Sequence, residues 1–336
     1  MLDKNDTKYY GLDSIMFYDP VTTYSSIQTN VVTVPFVDYH FNLFNFNESF
    51  TNSIHERADK CGYTDFINKY LVFPPVPFPA NPPNASSAEC GIYDDVYNAI
   101  MLVNPCFDIY QVATTCPLLW DVLGFPGSIP YLPEGTEIYF NRTDVQKAIN
   151  APIQNWDECQ GGVLDTDTSL PSALSVLPGV IERAQRTIIG HGTLDMILIA
   201  NGTLLSIQNM TWNGKQGFQT APDDDFFVPY HNEASLSTIG GSGVMGVTHT
   251  ERGLTWVETW LSGHMTPQYA PTAAYRQLEF MLGRIDSLSE ISDFTTMPLG
   301  NGLNNPDNYD EDDGWTGAAG NSSQKMKKRG GRFFSW

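Results

Sequence analysis

The sequence predicts an α/β fold with a sheet edge that gathers functional groups, and two observations predict it. The first is the stretch around Trp260-Leu261-Ser262-Gly263-His264-Met265-Thr266-Pro267-Gln268. Upstream of it Thr255, Val257, Thr259 and Leu261 alternate with Leu254, Trp256, Glu258 and Trp260, the period of a strand rich in β-branched and aromatic residues. Gly263 breaks the pattern, and Pro271 opens a segment whose Ala274, Leu278, Met281, Leu282 and Ile285 recur at helical spacing, with Gly283 near its end. The second is Arg186-Thr187-Ile188-Ile189-Gly190-His191-Gly192-Thr193-Leu194-Asp195, a short buried strand running into a glycine turn that ends on an acid. A histidine and an aspartate that each follow a strand belong at the carboxyl edge of a sheet, where open α/β folds bind ligands and do chemistry. Asp195 could also cap a helix over Met196-Ile197-Leu198-Ile199-Ala200.

The intervening chain supplies the remaining elements in order. Leu12 to Tyr18 reads as a strand, and Val96, Ala99, Ile100 and Val103 share one face of a helix. Thr143 and Gln146 have the spacing of a capping box ahead of Ala148 and Ile149, with Tyr139-Phe140 as packing before it. Ala221-Pro222-Asp223-Asp224-Asp225-Phe226-Phe227 begins a turn-rich connection; its acidic run lacks the ligand spacing of a calcium loop and reads as a solvated turn. Val244 to Val247 reads as a strand, and Glu251-Arg252-Gly253 as the hairpin turn into the last strand.

These residues resemble the C-terminal portion of a fungal serine carboxypeptidase, a family with an α/β-hydrolase fold and a Ser-Asp-His triad. The resemblance is carried by Gly190-His191-Gly192-Thr193-Leu194-Asp195, Gln208-Asn209-Met210-Thr211-Trp212-Asn213-Gly214, Glu251-Arg252-Gly253-Leu254-Thr255, Ser262-Gly263-His264-Met265 and Asn104-Pro105-Cys106, and it runs to about Phe294. It implies that Asp195 is the triad acid and His264 the base, in the chain order of that fold, with Met265 beside the substrate's leaving residue. It implies peptide or protein C-termini as partners and no cofactor. It also implies a division into the start of the hydrolase core over 1–28, a disulfide-bonded cap inserted over 29–133, core again over 134–294 and a disordered tail over 295–336.

One departure stands beside the match. No Gly-x-Ser-x-Gly elbow occurs; Gly240-Gly241-Ser242-Gly243-Val244 lacks the closing glycine. In the family that elbow precedes the strand which here begins at Leu12, so the expectation is a chain missing the N-terminal half of the fold and inactive alone. Two other readings use the same residues: a non-catalytic secreted glycoprotein, and an acyltransferase in which an alcohol replaces water.

Cysteines and sequons bear on the compartment. Five cysteines occur, at 61, 90, 106, 116 and 159. Cys61, Cys90, Cys106 and Cys116 bracket the proline-rich run Val72 to Pro79, which cannot form a helix or a central strand and needs an outside clamp. Two bridges among these four are expected, with three connectivities open, and the resemblance leaves Cys159 unpaired because its family partner lies upstream of the elbow. No metal-ligand spacing occurs. Seven Asn-x-Ser/Thr sequons, at Asn5, Asn47, Asn84, Asn141, Asn201, Asn209 and Asn321, point to glycosylation in the secretory pathway, with a secreted or vacuolar destination, although the first residues are not a signal peptide. A hydrophobic content of 41% fits a globular protein, and a net charge of −20 disfavours nucleic acid and anionic membranes. No stretch approaches the ~20 apolar residues of a membrane span. His40, His55, His191, His231 and His249 read as structural or surface groups. Lys327-Lys328-Arg329 in the tail follows an acidic run and reads as a solvated end.

Overall fold

The computed structural model describes residues 11–83, 85, 87–116, 137–156, 162, 166–231 and 241–296. Its centre is a sheet in the order β1-β2-β7-β6-β5, made of β1 (Ser14–Tyr18), β2 (Arg186–Gly192), β5 (Asp224–Val228), β6 (Gly243–Glu251) and β7 (Leu254–Thr259). A two-stranded ribbon, β3 (Thr211–Trp212) with β4 (Lys215–Gln216), stands apart.

β1, β2 and β7 run parallel, with Tyr18 opposite Gly190 and Gly192 opposite Thr259, so all three strands end at one edge. β6 is antiparallel to β7 and to β5. Parallel strands need crossovers that cover both faces of the sheet, which is why β2 is apolar on both sides. Ile188 and Val257 pack with Ala273 and Phe280 of the helix Pro271–Met281. Ile189 and Trp256 face the other way, toward Leu204 and Leu205 of α8 (Ala200–Asn209) and the helices that follow β1.

Those helices are α1 (Val31–Tyr39), α2 (Phe41–Phe44), α3 (Glu48–Lys60), α4 (Tyr63–Tyr70) and α5 (Ile92–Val103). Asn47 starts α3 by accepting from the Phe50 amide at 2.9 Å, Glu48 lies in the first turn, and Arg57 and Lys60 lie in the last, an arrangement that suits the helix dipole. Ile54 of α3, Tyr63 of α4 and Ile92, Val96 and Ile100 of α5 are fully buried. Cys61–Cys90 ties the end of α3 to the turn before α5, and Cys106–Cys116 closes a loop beyond α5. Cys159 lies outside the described residues, as do Asn5, Asn84, Asn321 and the tail from 297 onward. The proline-rich run is also held by amides: Gln208 donates to the Val72 carbonyl at 2.5 Å and Gln216 to the Val76 carbonyl at 2.9 Å.

Several local expectations change. Thr143 is the first helical residue of α6 (Thr143–Ala148), not its cap; the Gln146 amide instead donates to the Phe140 and Gln154 carbonyls, tying down the chain on either side. Val103 is exposed at the frayed end of α5, so the buried face is Ile92, Val96 and Ile100. The acidic run does not form a free turn, because Asp224 and Asp225 pair with Thr248 and Val247 and begin edge strand β5. The hairpin turn at Arg252-Gly253 forms, with φ of 55° and 84°. Strand β7 ends at Thr259, two residues earlier than the alternation suggested, because Leu261 turns into the left-handed region at φ 59°. No helix of the described residues is long and apolar enough to cross a membrane.

Candidate active site

Asp195 and His264 are brought together by the edge at which β2 and β7 end. Past Gly192 and Thr259 the two loops run side by side: the Thr193 amide donates to the Thr259 carbonyl at 3.1 Å and the Leu194 amide to the Ser262 carbonyl at 2.9 Å. Gly192 is required here, since a Cβ would collide with the carbonyls of Ser262 and Gly263. The turn then closes on Asp195, whose Oδ1 accepts from the Ile197 amide at 2.8 Å and the Leu198 amide at 3.3 Å. This is an Asx turn rather than a helix cap, because α8 starts only at Ala200.

Across 69 residues of sequence, Asp195 Oδ2 lies 2.8 Å from His264 Nδ1. The Asp195 side chain is wholly buried, whereas that of His264 keeps 27% of its surface exposed. An acid bonded to Nδ1 fixes the proton on that nitrogen and leaves Nε2 as the basic one. His264 Nε2 has no hydrogen-bond partner among the described residues. Burial alone would lower the pKa of His264, but the hydrogen bond and charge of Asp195 and the charge of Asp19 outweigh it, so the value is raised. Burial pushes Asp195 up to about 7 against the opposing pull of the His264 hydrogen bond.

A segment inside the loop closed by the disulfide Cys106–Cys116 clamps both loops. The Tyr110 carbonyl accepts from the His264 amide at 2.8 Å, and the Ile109 carbonyl accepts from the amides of Met196 and Ile197 at 3.0 and 3.2 Å. The Val112 amide donates to the Leu194 carbonyl at 3.0 Å, and the Tyr110 ring lies 5.4 Å from the His264 ring. Gly263 allows this approach, since a Cβ there would overlap the Tyr110 carbonyl. Met265 follows half-buried, its carbonyl accepting from the Gln268 and Tyr269 amides at 2.8 and 3.1 Å.

Neither serine near the turn faces His264. Ser262 is buried and donates to the Gly263 carbonyl at 3.0 Å, with Thr266 Oγ1 at 3.2 Å, and Ser242 is exposed. Two groups escaped sequence reasoning as site residues. Asp19 directly follows β1 at the same edge and is 2% exposed. His191, expected only as a structural or surface group, is fully buried, with Nδ1 2.8 Å from Asp19 Oδ1 and Nε2 2.8 Å from Thr203 Oγ1. Asp19 reaches this edge because β1 is the third parallel strand that ends there. His40 donates from Nε2 to the Thr193 carbonyl at 2.8 Å and supports the loop from below.

The chain is similar to known proteins over most of its length. Residues 2–283 match the family model described as serine carboxypeptidase. The chain is 55% identical over 294 residues to a "Probable serine carboxypeptidase" of Arthroderma benhamiae, covering 86% of this chain and 55% of that protein. It is 45% identical over 307 residues to "Serine-type carboxypeptidase F" of Aspergillus niger, covering 85% of this chain and 58% of that one. Among solved structures, a prohormone-processing carboxypeptidase from Saccharomyces cerevisiae superposes with a TM-score of 0.52 at 18% identity, over 85% of this chain and 58% of that chain. That likeness concerns the fold, an α/β-hydrolase fold. The chain thus spans somewhat more than half the length of the relatives it matches. An acid and a histidine at adjacent strand ends, joined at 2.8 Å, and the match over residues 2–283 have one conclusion: this chain belongs to the serine carboxypeptidase family.

Proposed function

We propose that this chain supplies the acid–base half of a serine carboxypeptidase that releases amino acids from the C-termini of peptides and proteins. The observation that carries the reading is the 2.8 Å contact between a buried Asp195 and a half-exposed His264 whose Nε2 is left unbonded among the described residues. In that reaction Nε2 takes the proton of a serine hydroxyl as its oxygen attacks the scissile carbonyl. The same proton then goes to the nitrogen of the departing amino acid, and water repeats the sequence to free the acyl group. Met265 contacts the leaving residue.

The serine belongs to a segment this sequence lacks, since it contains no Gly-x-Ser-x-Gly. The outer edge of β1 supports that assignment, because among the described strands β1 pairs only with β2. A parallel strand bearing the serine at its end fits there. The missing half of the fold is then a partner of this chain, in one polypeptide or two. Disulfides and exposed Asn47 support passage through the secretory pathway, where Asn47 and the half-buried Asn141, Asn201 and Asn209 are sequons.

The test joins the elbow-bearing segment of the Arthroderma benhamiae relative to this chain and follows release of C-terminal amino acids from a peptide. Release is expected, with a loss of roughly three to four orders of magnitude in kcat for Asp195→Asn and comparable loss for His264→Ala. This chain alone should take up no serine-directed phosphonate. Stoichiometric labelling of the chain alone, or full activity in His264→Ala, would refute the assignment.

A further inference from the structure

The mechanism uses Asp195 and His264 but leaves a second carboxyl, Asp19, buried directly behind them. Asp19 sits at the end of β1 with a left-handed φ of 44°, which is uncommon for a residue other than glycine, and its Oδ1 accepts from the Gly192 amide at 3.0 Å. Gln28 donates to Thr203 Oγ1 at 2.7 Å, and His191 Nε2 lies 2.8 Å from the same hydroxyl. The other ring nitrogen of His191, Nδ1, lies 2.8 Å from Asp19 Oδ1. Oδ1 thus accepts from the Gly192 amide, while Oδ2 is buried without a partner.

Carboxyl oxygens of Asp19 and Asp195 and a ring nitrogen of His191 all lie within 4.8 Å of one another. Two carboxylates that close, away from water, do not both ionise. The other ionisable groups acting on the pair add no second cation: burial holds Tyr18, Tyr93 and Tyr269 neutral, raises Asp108, and lowers His191 to about 4. Asp195 accepts from three aligned donors, the Ile197 and Leu198 amides and His264, so it is the better anion. Burial raises Asp19 further, to about 8.

We propose that Asp19 is a positioning residue whose carboxyl keeps a proton and donates it to Asp195, confining the negative charge to the oxygen that holds His264. Two carboxyl oxygens within 4.8 Å of each other repel when both are ionised and attract when one carries a proton, and the buried Oδ2, which has no partner, is free to carry it. The proposal rests on reading Asp195 and His264 as the acid and base of the site.

Infrared spectra of the full chain carrying carbon-13 in its aspartate side chains, with proton NMR of the His264 ring, test it near neutral pH. The expected result is a protonated-carboxyl band in the wild type that is lost in Asp19→Asn, while the low-field Nδ1 proton of His264 persists, because an amide still donates to Asp195. Asp19→Leu should lose that resonance and lower the titration midpoint of His264. A wild type with the resonance but no band, a band that survives Asp19→Asn, or an unchanged resonance in Asp19→Leu overturns the proposal alone. Absence of the resonance from the wild type defeats the Asp195–His264 reading and the proposal with it. If Asp19→Leu does not fold, the band and its fate in Asp19→Asn decide.

Discussion

At His264 two opposed effects meet, and their balance can be measured. Burial disfavours the imidazolium, while the Asp195 hydrogen bond and charge favour it and win. Replacing Asp195 with asparagine removes the winner, so the midpoint of His264 should fall from above its ordinary 6.5 to below it, as followed by NMR titration. A midpoint that stays put would mean that Asp195 does not govern the ring. Both residues were legible in the sequence because each stands a few residues past an alternating strand, on a turn marked by glycine. Asp19 was not, because β1 is only five residues long and Asp19-Pro20 carries no glycine signal. What reveals it is the register of β1 on β2, which no local pattern encodes. His191 looked like a bystander for the same reason: its partners Asp19 and Thr203 come from other elements.

Elements were easier to read than their ends. The strand at 254 to 259 and the helix from Pro271 appeared where the periodicity put them, since burial on one or both faces enforces the pattern. The capping box failed because the helix begins at Thr143 itself and Gln146 bonds the Phe140 and Gln154 carbonyls instead, a competition the spacing cannot express. Two predictions belong at this scale. Gly192→Ala should destabilise the protein by about 2–4 kcal/mol in urea unfolding, since its methyl group meets backbone rather than a movable side chain; a change within ~0.5 kcal/mol would contradict the close approach of the two loops. Removing Cys61–Cys90, which closes a separation of 29, should cost more than removing Cys106–Cys116, which closes 10. Loop entropy alone puts the two at roughly 3.5 and 2.7 kcal/mol. Equal or reversed losses between the double-alanine variants would assign the stabilisation to strain or packing instead.

The whole molecule should prefer acid. Asp19 keeps its proton in the folded state up to about 8, whereas the unfolded chain releases it near 3.8, so its contribution falls as pH rises through that window. His264, with a raised value, contributes below 6.5 and loses that contribution as pH rises through its folded midpoint. His191, lowered to about 4, and His40, also lowered, act in the opposite sense, with stability present above 6.5 and lost as pH falls. The two sets oppose each other below 6.5; above it, among the described residues, only the first acts, joined by Glu258, which burial raises to about 7. Calorimetry should therefore find Tm falling between pH 6.5 and 8, a trend that the net charge of −20 reinforces; a flat or rising Tm there would count against the buried acid pair. The clamp from residues 109 to 112 has a consequence of another kind. Because its carbonyls and amides bond to Met196, Ile197, Leu194 and His264, the loops cannot open locally without it. In native-state deuterium exchange the amides of Val112, Met196 and His264 should report one shared opening free energy, so that the roof and the floor of the site breathe together as a single cooperative unit.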